Sequence, residues 1–80
     1  MREIRDESGR AWEAVAVQAT VAHGRGGATL AFRPAGEPDA EVLLSSVSFN
    51  SAEAAELAIS TMGEKELRRR LDITRQRAPR

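Results

Sequence analysis

Eighty residues with 12 acids against 12 bases, one histidine, no cysteine and no tyrosine describe one small domain with a thin stability margin, because a chain of this length buries only about 60–65% of its unfolded surface. Without cysteine there is no disulfide, thiolate metal site or thiol nucleophile. The start Met1-Arg2-Glu3-Ile4-Arg5-Asp6 is charged where a signal peptide is apolar, and no apolar run approaches the roughly 18 residues of a membrane span, so the expected location is the cytoplasm.

The first fifty residues divide into four strand-like segments separated by turn formers. Residues 2–6 are short and polar, with Ile4 their one large apolar side chain. Glu7-Ser8-Gly9-Arg10 reads as a hairpin turn in which Gly9 supplies a positive φ. In the second segment, 11–21, Val15, Val17, Ala19 and Val21 share one face at period two, and Ala14, Ala16, Gln18 and Thr20 share the other. The valine face is the expected core. Trp12 is out of phase with it, which leaves two arrangements: a bulge near Glu13 that restores the phase, or a Trp12 on the second face covering a sheet edge. The opening Arg5-Asp6…Gly9-Arg10-x-Trp12 is similar to the start of many short bacterial proteins that begin with a hairpin, and no function is carried over from it. A bacterial origin also fits abundant alanine and arginine beside a single lysine.

His23-Gly24-Arg25-Gly26-Gly27 reads as a flexible connector. Glycine-rich phosphate loops run from a strand into a helix N-terminus, whereas this one runs into a strand, 28–33, with Leu30 and Phe32 on one face and Thr29, Ala31 and Arg33 on the other. A proline-bearing loop, 34–39, precedes the fourth strand, 41–49, where Leu43, Val47 and Phe49 alternate with Val42, Leu44, Ser46 and Ser48. Short connections make an antiparallel meander the simplest topology.

After Phe49 the period becomes helical. Asn50 is the expected N-cap, with Glu53 completing a box. Ala54, Leu57, Ala58 and Met62 form the stripe that packs on the sheet, widened by Ala55 and Ile59. Gly63 breaks this helix, and a second, capped by Thr61 and Glu64, carries Leu67, Leu71 and Thr74. The expected fold is α+β, four mainly antiparallel strands followed by two helices (ββββαα), as a single domain over 1–74 with a frayed basic tail over 75–80. The expected core is Ile4, Val15, Val17, Val21, Leu30, Phe32, Leu43, Val47, Phe49, Leu57, Met62, Leu67 and Leu71.

No residue pattern supplies catalysis, a cofactor or a metal. His23 lacks partners at ligand spacing. Glu37, Asp39 and Glu41 lack the glycine and terminal glutamate of a calcium loop, and Ser45, Ser46 and Ser48 have no nucleophile motif and read as a polar strand face. The strongest functional signal is charge asymmetry: residues 65–80 hold seven bases against Glu66 and Asp72, while residues 1–64 hold ten acids against five arginines. Pairs at i, i+4, Glu64 with Arg68 and Glu66 with Arg70, neutralise part of it, and Asp72 faces Arg68, Arg69 or Arg75. Lys65, Arg68, Arg69, Arg70, Arg75 and Arg77 are the expected partner-binding residues. The expected function is a non-catalytic, accessory or regulatory interaction module that binds another protein, or itself as a homo-oligomer, through an exposed sheet face or edge and the arginine-rich helix. Ala14, Ala16, Ala31, Val42 and Leu44 mark that exposed face. The alternative is a nucleic-acid-binding accessory protein that sets Lys65, Arg69, Arg75 and Arg77 on phosphates. That alternative lacks a stacking platform, since the aromatics are only Trp12, Phe32 and Phe49.

Overall fold

In the computed structural model, which describes residues 2–20 and 26–77, four strands precede two helices: β1 (Arg2–Arg5), β2 (Ala11–Thr20), β3 (Gly26–Pro34), β4 (Leu43–Phe49), α1 (Ala52–Thr61) and α2 (Glu64–Arg77). The strands form one antiparallel meander in the order β1-β2-β3-β4, the architecture expected from the short connections. Gly9 takes a φ of 87° in the first turn. The expected role of Val21 in the core and the reading of His23, Gly24 and Arg25 fall outside the described residues.

Registers decide which face is core. Ile4 sits opposite Trp12, Ala14 opposite Phe32, and Ala16 opposite Leu30, and directly opposed residues lie on one face. No bulge interrupts β2, so Trp12 keeps company with Ala14 and Ala16 and the valines point away from the helices. This reverses the expected face of β2. Trp12, Ala14, Leu30 and Phe32 are buried, with Ile4, Ile59, Leu67 and Leu71 completing the cluster, while Val15 and Val17 are half-buried on the open side. The alanines let α1 lie close to β2, and the bulk they lack comes from Trp12 and from the helices.

The α1 stripe is likewise turned from expectation. Ala55 and Ile59 are its buried residues, and Leu57 is 66% exposed on the opposite side. Ser51, one residue later than expected, is the N-cap, its hydroxyl accepting from the Ala54 N–H at 3.1 Å. Thr61 ends α1 and turns its hydroxyl back to the Leu57 carbonyl instead of capping α2, whose first helical bond runs from the Leu67 N–H to the Gly63 carbonyl. At the other end of α1, the Arg2 guanidinium donates to the Ile59 and Met62 carbonyls. Orphan carbonyls at a helix C-terminus favour a cation, and here a residue of β1 supplies it. The α2 stripe of Leu67, Leu71 and Thr74 is as expected, but the helix continues through Arg77, so residues 75–77 are its last turn and not frayed tail. Residues 78–80 lie outside the described range.

β4 keeps Leu43, Val47 and Phe49 on the helix side, as expected, through an irregularity. Thr29 pairs with Ser48 but Ala31 pairs with Leu44, so Leu30 alone spans three residues of β4, and the shift by two preserves the alternation of faces. The Ser45 hydroxyl fills the gap, donating to the Leu30 carbonyl at 2.6 Å and accepting from the Val47 N–H at 3.1 Å. Ser45 is therefore a structural bridge and not part of a polar face. Ser45→Ala is expected to destabilise the domain by about 1–2 kcal/mol, the usual consequence of leaving a partly buried donor and acceptor without a partner, read from urea midpoints.

Candidate interaction surface

Six basic residues were the expected contact surface, and α2 distributes them over three sides. At about 100° per residue, Arg68 and Arg75 lie on the flank facing β1. Arg70 and Arg77 lie on the flank facing β4, while Lys65 and Arg69 lie on the outer side. No single basic patch results.

On the β1 flank, Arg68 donates to the Arg5 carbonyl at 2.9 Å and pairs with Glu64 at 3.7 Å. Arg75 meets Asp6 at 3.0 Å. Asp6 is the anchor of this corner. Its side chain is 1% exposed, and it accepts from the Ser8 hydroxyl, the Trp12 Nε1–H and the backbone N–H groups of Ser8 and Arg10. These bonds, those of the Ser8 and Trp12 side chains foremost, hold its carboxyl well below the ordinary value of 3.8 in spite of the opposing effect of burial. Arg10 and Arg75 place their guanidinium carbons 5.2 and 5.4 Å from the centre of the Trp12 ring, a cation–π arrangement. Asp6, Gly9, Arg10 and Trp12 are thus one structural unit: a turn closed by a carboxylate that fixes the tryptophan and receives α2. A carboxylate held this low is charged near neutrality and is a weak proton acceptor, and its oxygens are already engaged by the donors around it.

On the opposite flank, Arg70 pairs with Glu66 at 2.9 Å, the expected i, i+4 contact. Asp72 makes none of its expected pairs: Arg68 and Arg75 are drawn to β1 and Asp6, and Arg69 makes no ion pair among the described residues. Lys65, Arg69 and Arg77 are the expected site residues without an ion pair or hydrogen bond among the described residues.

Between this flank of α2 and β4 runs a groove of about 390 Å³. Arg70, Ile73, Thr74 and Arg77 form its helix wall, and Leu43, Ser45 and Val47 stand among the residues of the strand wall. β4 is the last strand of the sheet, so the backbone groups along its outer side have no strand partner among the described residues. The other edge, β1, is short and carries Arg2, Glu3 and Arg5, with Arg68 on one of its carbonyls, features that discourage strand addition. The two helices cover one face of the sheet. On the face that no described element covers, half-buried Val15 and Val17 and a 59% exposed Leu44 stand together around Ala31, which is itself fully buried, bordered by the Glu13–Arg33 pair at 2.8 Å. Of the residues expected on the exposed face, Leu44 is exposed there and Ala31 lies on it but is buried, Val42 is half-buried at the groove, and Ala14 and Ala16 lie under the helices.

Arg70 and Arg77 are therefore the predicted residues that the fold brings to the groove. Sequence reasoning missed Ile73, whose signal was present: it is apolar yet out of phase with Leu67, Leu71 and Thr74, and 36% exposed. Among the described residues no group of three or more His, Cys, Asp or Glu is arranged to hold a metal ion, and no helix is long and apolar enough to cross a membrane. No family model, curated protein or solved structure matches this chain.

Proposed function

We propose that the chain is a small non-catalytic interaction module that binds another protein, or a second copy of itself, through the β4 edge and the adjoining uncovered sheet face. The observation that carries this reading is the one-sided sheet: helices cover one face, and the other keeps an apolar patch beside an unpaired edge strand. Exposed edges and contiguous apolar patches are the features that proteins otherwise hide. Further support comes from Asp6, Arg68 and Arg75, the most chemically distinctive side chains, whose polar groups are engaged within the fold. Binding of duplex nucleic acid is the weaker reading. The basic residues are spread around α2, half of them are ion-paired, and the aromatics are occupied in packing.

Light scattering behind a sizing column, across a hundredfold concentration range and with or without duplex DNA, tests this. The expected result is a molar mass indifferent to DNA. A mass that rises with concentration assigns the sheet face to self-association, and a constant monomer assigns it to a different protein. A mass that shifts only with DNA and reverts in high salt overturns the reading.

A further inference from the structure

The groove itself points to a more specific occupant. We propose that it takes an extended segment of another protein that adds as a fifth strand along β4 and carries an acidic side chain two residues from an apolar one. This rests on the chain being a protein-binding module, and names the chemistry of its partner.

Three observations converge. The outer edge of β4, seven residues long, is free to pair with an added strand, whose main-chain bonds give affinity while alternate side chains give specificity. Side chains of such a strand on the helix side enter the groove, where Ile73 offers an apolar surface and Arg77 a cation without an acidic partner among the described residues. Spacing also agrees. Ile73 and Arg77 are four residues apart, about 6 Å along the helix, and same-face residues of a strand are about 6.6 Å apart. For an added strand that runs alongside α2, an apolar side chain against Ile73 and a carboxylate against Arg77 then fit one extended chain, with Arg70 adding a second, Glu66-paired cation on the same wall. Glu41, on the strand wall, repels a carboxylate there and so favours its placement on the helix side.

Charge also argues against a second copy in this groove. Pairing β4 with its own symmetry mate presents the same patch from both molecules, which sets Arg70 and Arg77 of one copy beside those of the other. Self-association, where it occurs, belongs to the uncovered sheet face.

The test is selection from a phage-displayed library of fully randomised heptapeptides on the intact chain, followed by synthesis of the most enriched sequence with blocked ends. The expected outcome is enrichment of an acidic residue two positions from a branched apolar one. Amide resonances of residues 43–49 then shift on binding, and affinity falls about tenfold in Arg77→Glu, with a smaller fall in Arg77→Gln. Both variants change an exposed side chain in the last helical turn, and an unchanged melting temperature establishes that they fold. Ile73→Ser gives a second, uncharged route to the same loss. Failure to enrich, an enriched set without acids, or shifts confined to residues 15–17 and 31 overturns the proposal. The last outcome, or a concentration-dependent dimer with no peptide selected, leaves the module reading standing while removing this occupant.

Discussion

Trp12→Ala is expected to destabilise the protein by about 3–5 kcal/mol, the range for removing a large buried aromatic side chain. Val17→Ala, on the uncovered face of the same strand, is expected to change stability by less than about 1 kcal/mol. The comparison is diagnostic because a period-two pattern is symmetric: had the valines faced the helices, the order of the two effects would be inverted. Trp12 is 5% exposed, opposite Ile4, and its ring carries both the Nε1–H bond to Asp6 at 2.9 Å and the contacts with Arg10 and Arg75. Removing it therefore empties a corner of the core and at once takes away one of the contacts that hold α2 to the hairpin. For 80 residues the whole stability is expected to be about 4–12 kcal/mol, so the variant approaches the unfolding threshold. Urea midpoints for both variants, with Trp12→Phe as the control that keeps the ring but loses the hydrogen bond, measure it. An equal loss for Val17→Ala would mean that both faces of β2 are covered in solution, which is itself a readout of self-association.

The second large effect is acid sensitivity centred on Asp6. Its folded-state carboxyl titrates below the ordinary value of 3.8 because Ser8, Trp12 and two backbone N–H groups bond the charged form. A group depressed on folding contributes stability that is fully present above its unfolded value and is lost as pH falls through that value toward the folded one. Stability is therefore expected to gain a constant contribution from Asp6 between neutrality and about pH 5. That contribution then declines progressively as the solution is acidified below the ordinary carboxylate range. Asp6→Asn removes the charge that Arg75 meets and leaves only one acceptor oxygen for the ring of donors. It is expected to be clearly less stable than the parent at pH 7 and to show a shallower loss in acid, so that the two curves converge at low pH. Urea midpoints from pH 7 down to about pH 2 provide the measurement. Parallel curves would assign the acid response to other carboxylates. Because Arg75 links this site to α2, Arg75→Gln is the natural companion, testing how much of the corner depends on the helix.

Local chemistry was legible along the chain. The four strands, the positive φ at Gly9, the helical break around Gly63 and the α2 stripe of Leu67, Leu71 and Thr74 follow from alternation, turn formers and helical spacing, each a property of neighbouring residues. The one-residue error at the α1 cap, Ser51 instead of Asn50, is a choice between two adjacent residues that both cap well. Interactions across the fold were not legible. Nothing in 11–21 says which alternating set will meet a helix, since parity is identical on both faces and the choice is made by the register that places Trp12 beside Ile4 and Ala14 beside Phe32. The same holds for Leu57 and Ile59, where the wide stripe of α1 left its centre undefined by one residue.

For the candidate site, the charge asymmetry of 65–80 pointed to α2 but not to how that helix distributes its charges. Helical geometry splits Lys65, Arg68, Arg69, Arg70, Arg75 and Arg77 among three directions. Which of them remain free depends on partners distant in sequence, such as the Arg5 carbonyl for Arg68 and Asp6 for Arg75. The groove is wholly tertiary, arising where α2 lies beside an edge strand whose last groove-lining residue, Val47, precedes Ile73 by more than twenty positions. The sequence by itself thus determined the elements, their order and the hairpin unit, because backbone preference and short-range side-chain spacing act within a few residues. Only the tertiary structure decided which face is core, which arginines are neutralised and where the open edge lies, because those outcomes depend on desolvation and pairing between segments that meet only once the chain has folded.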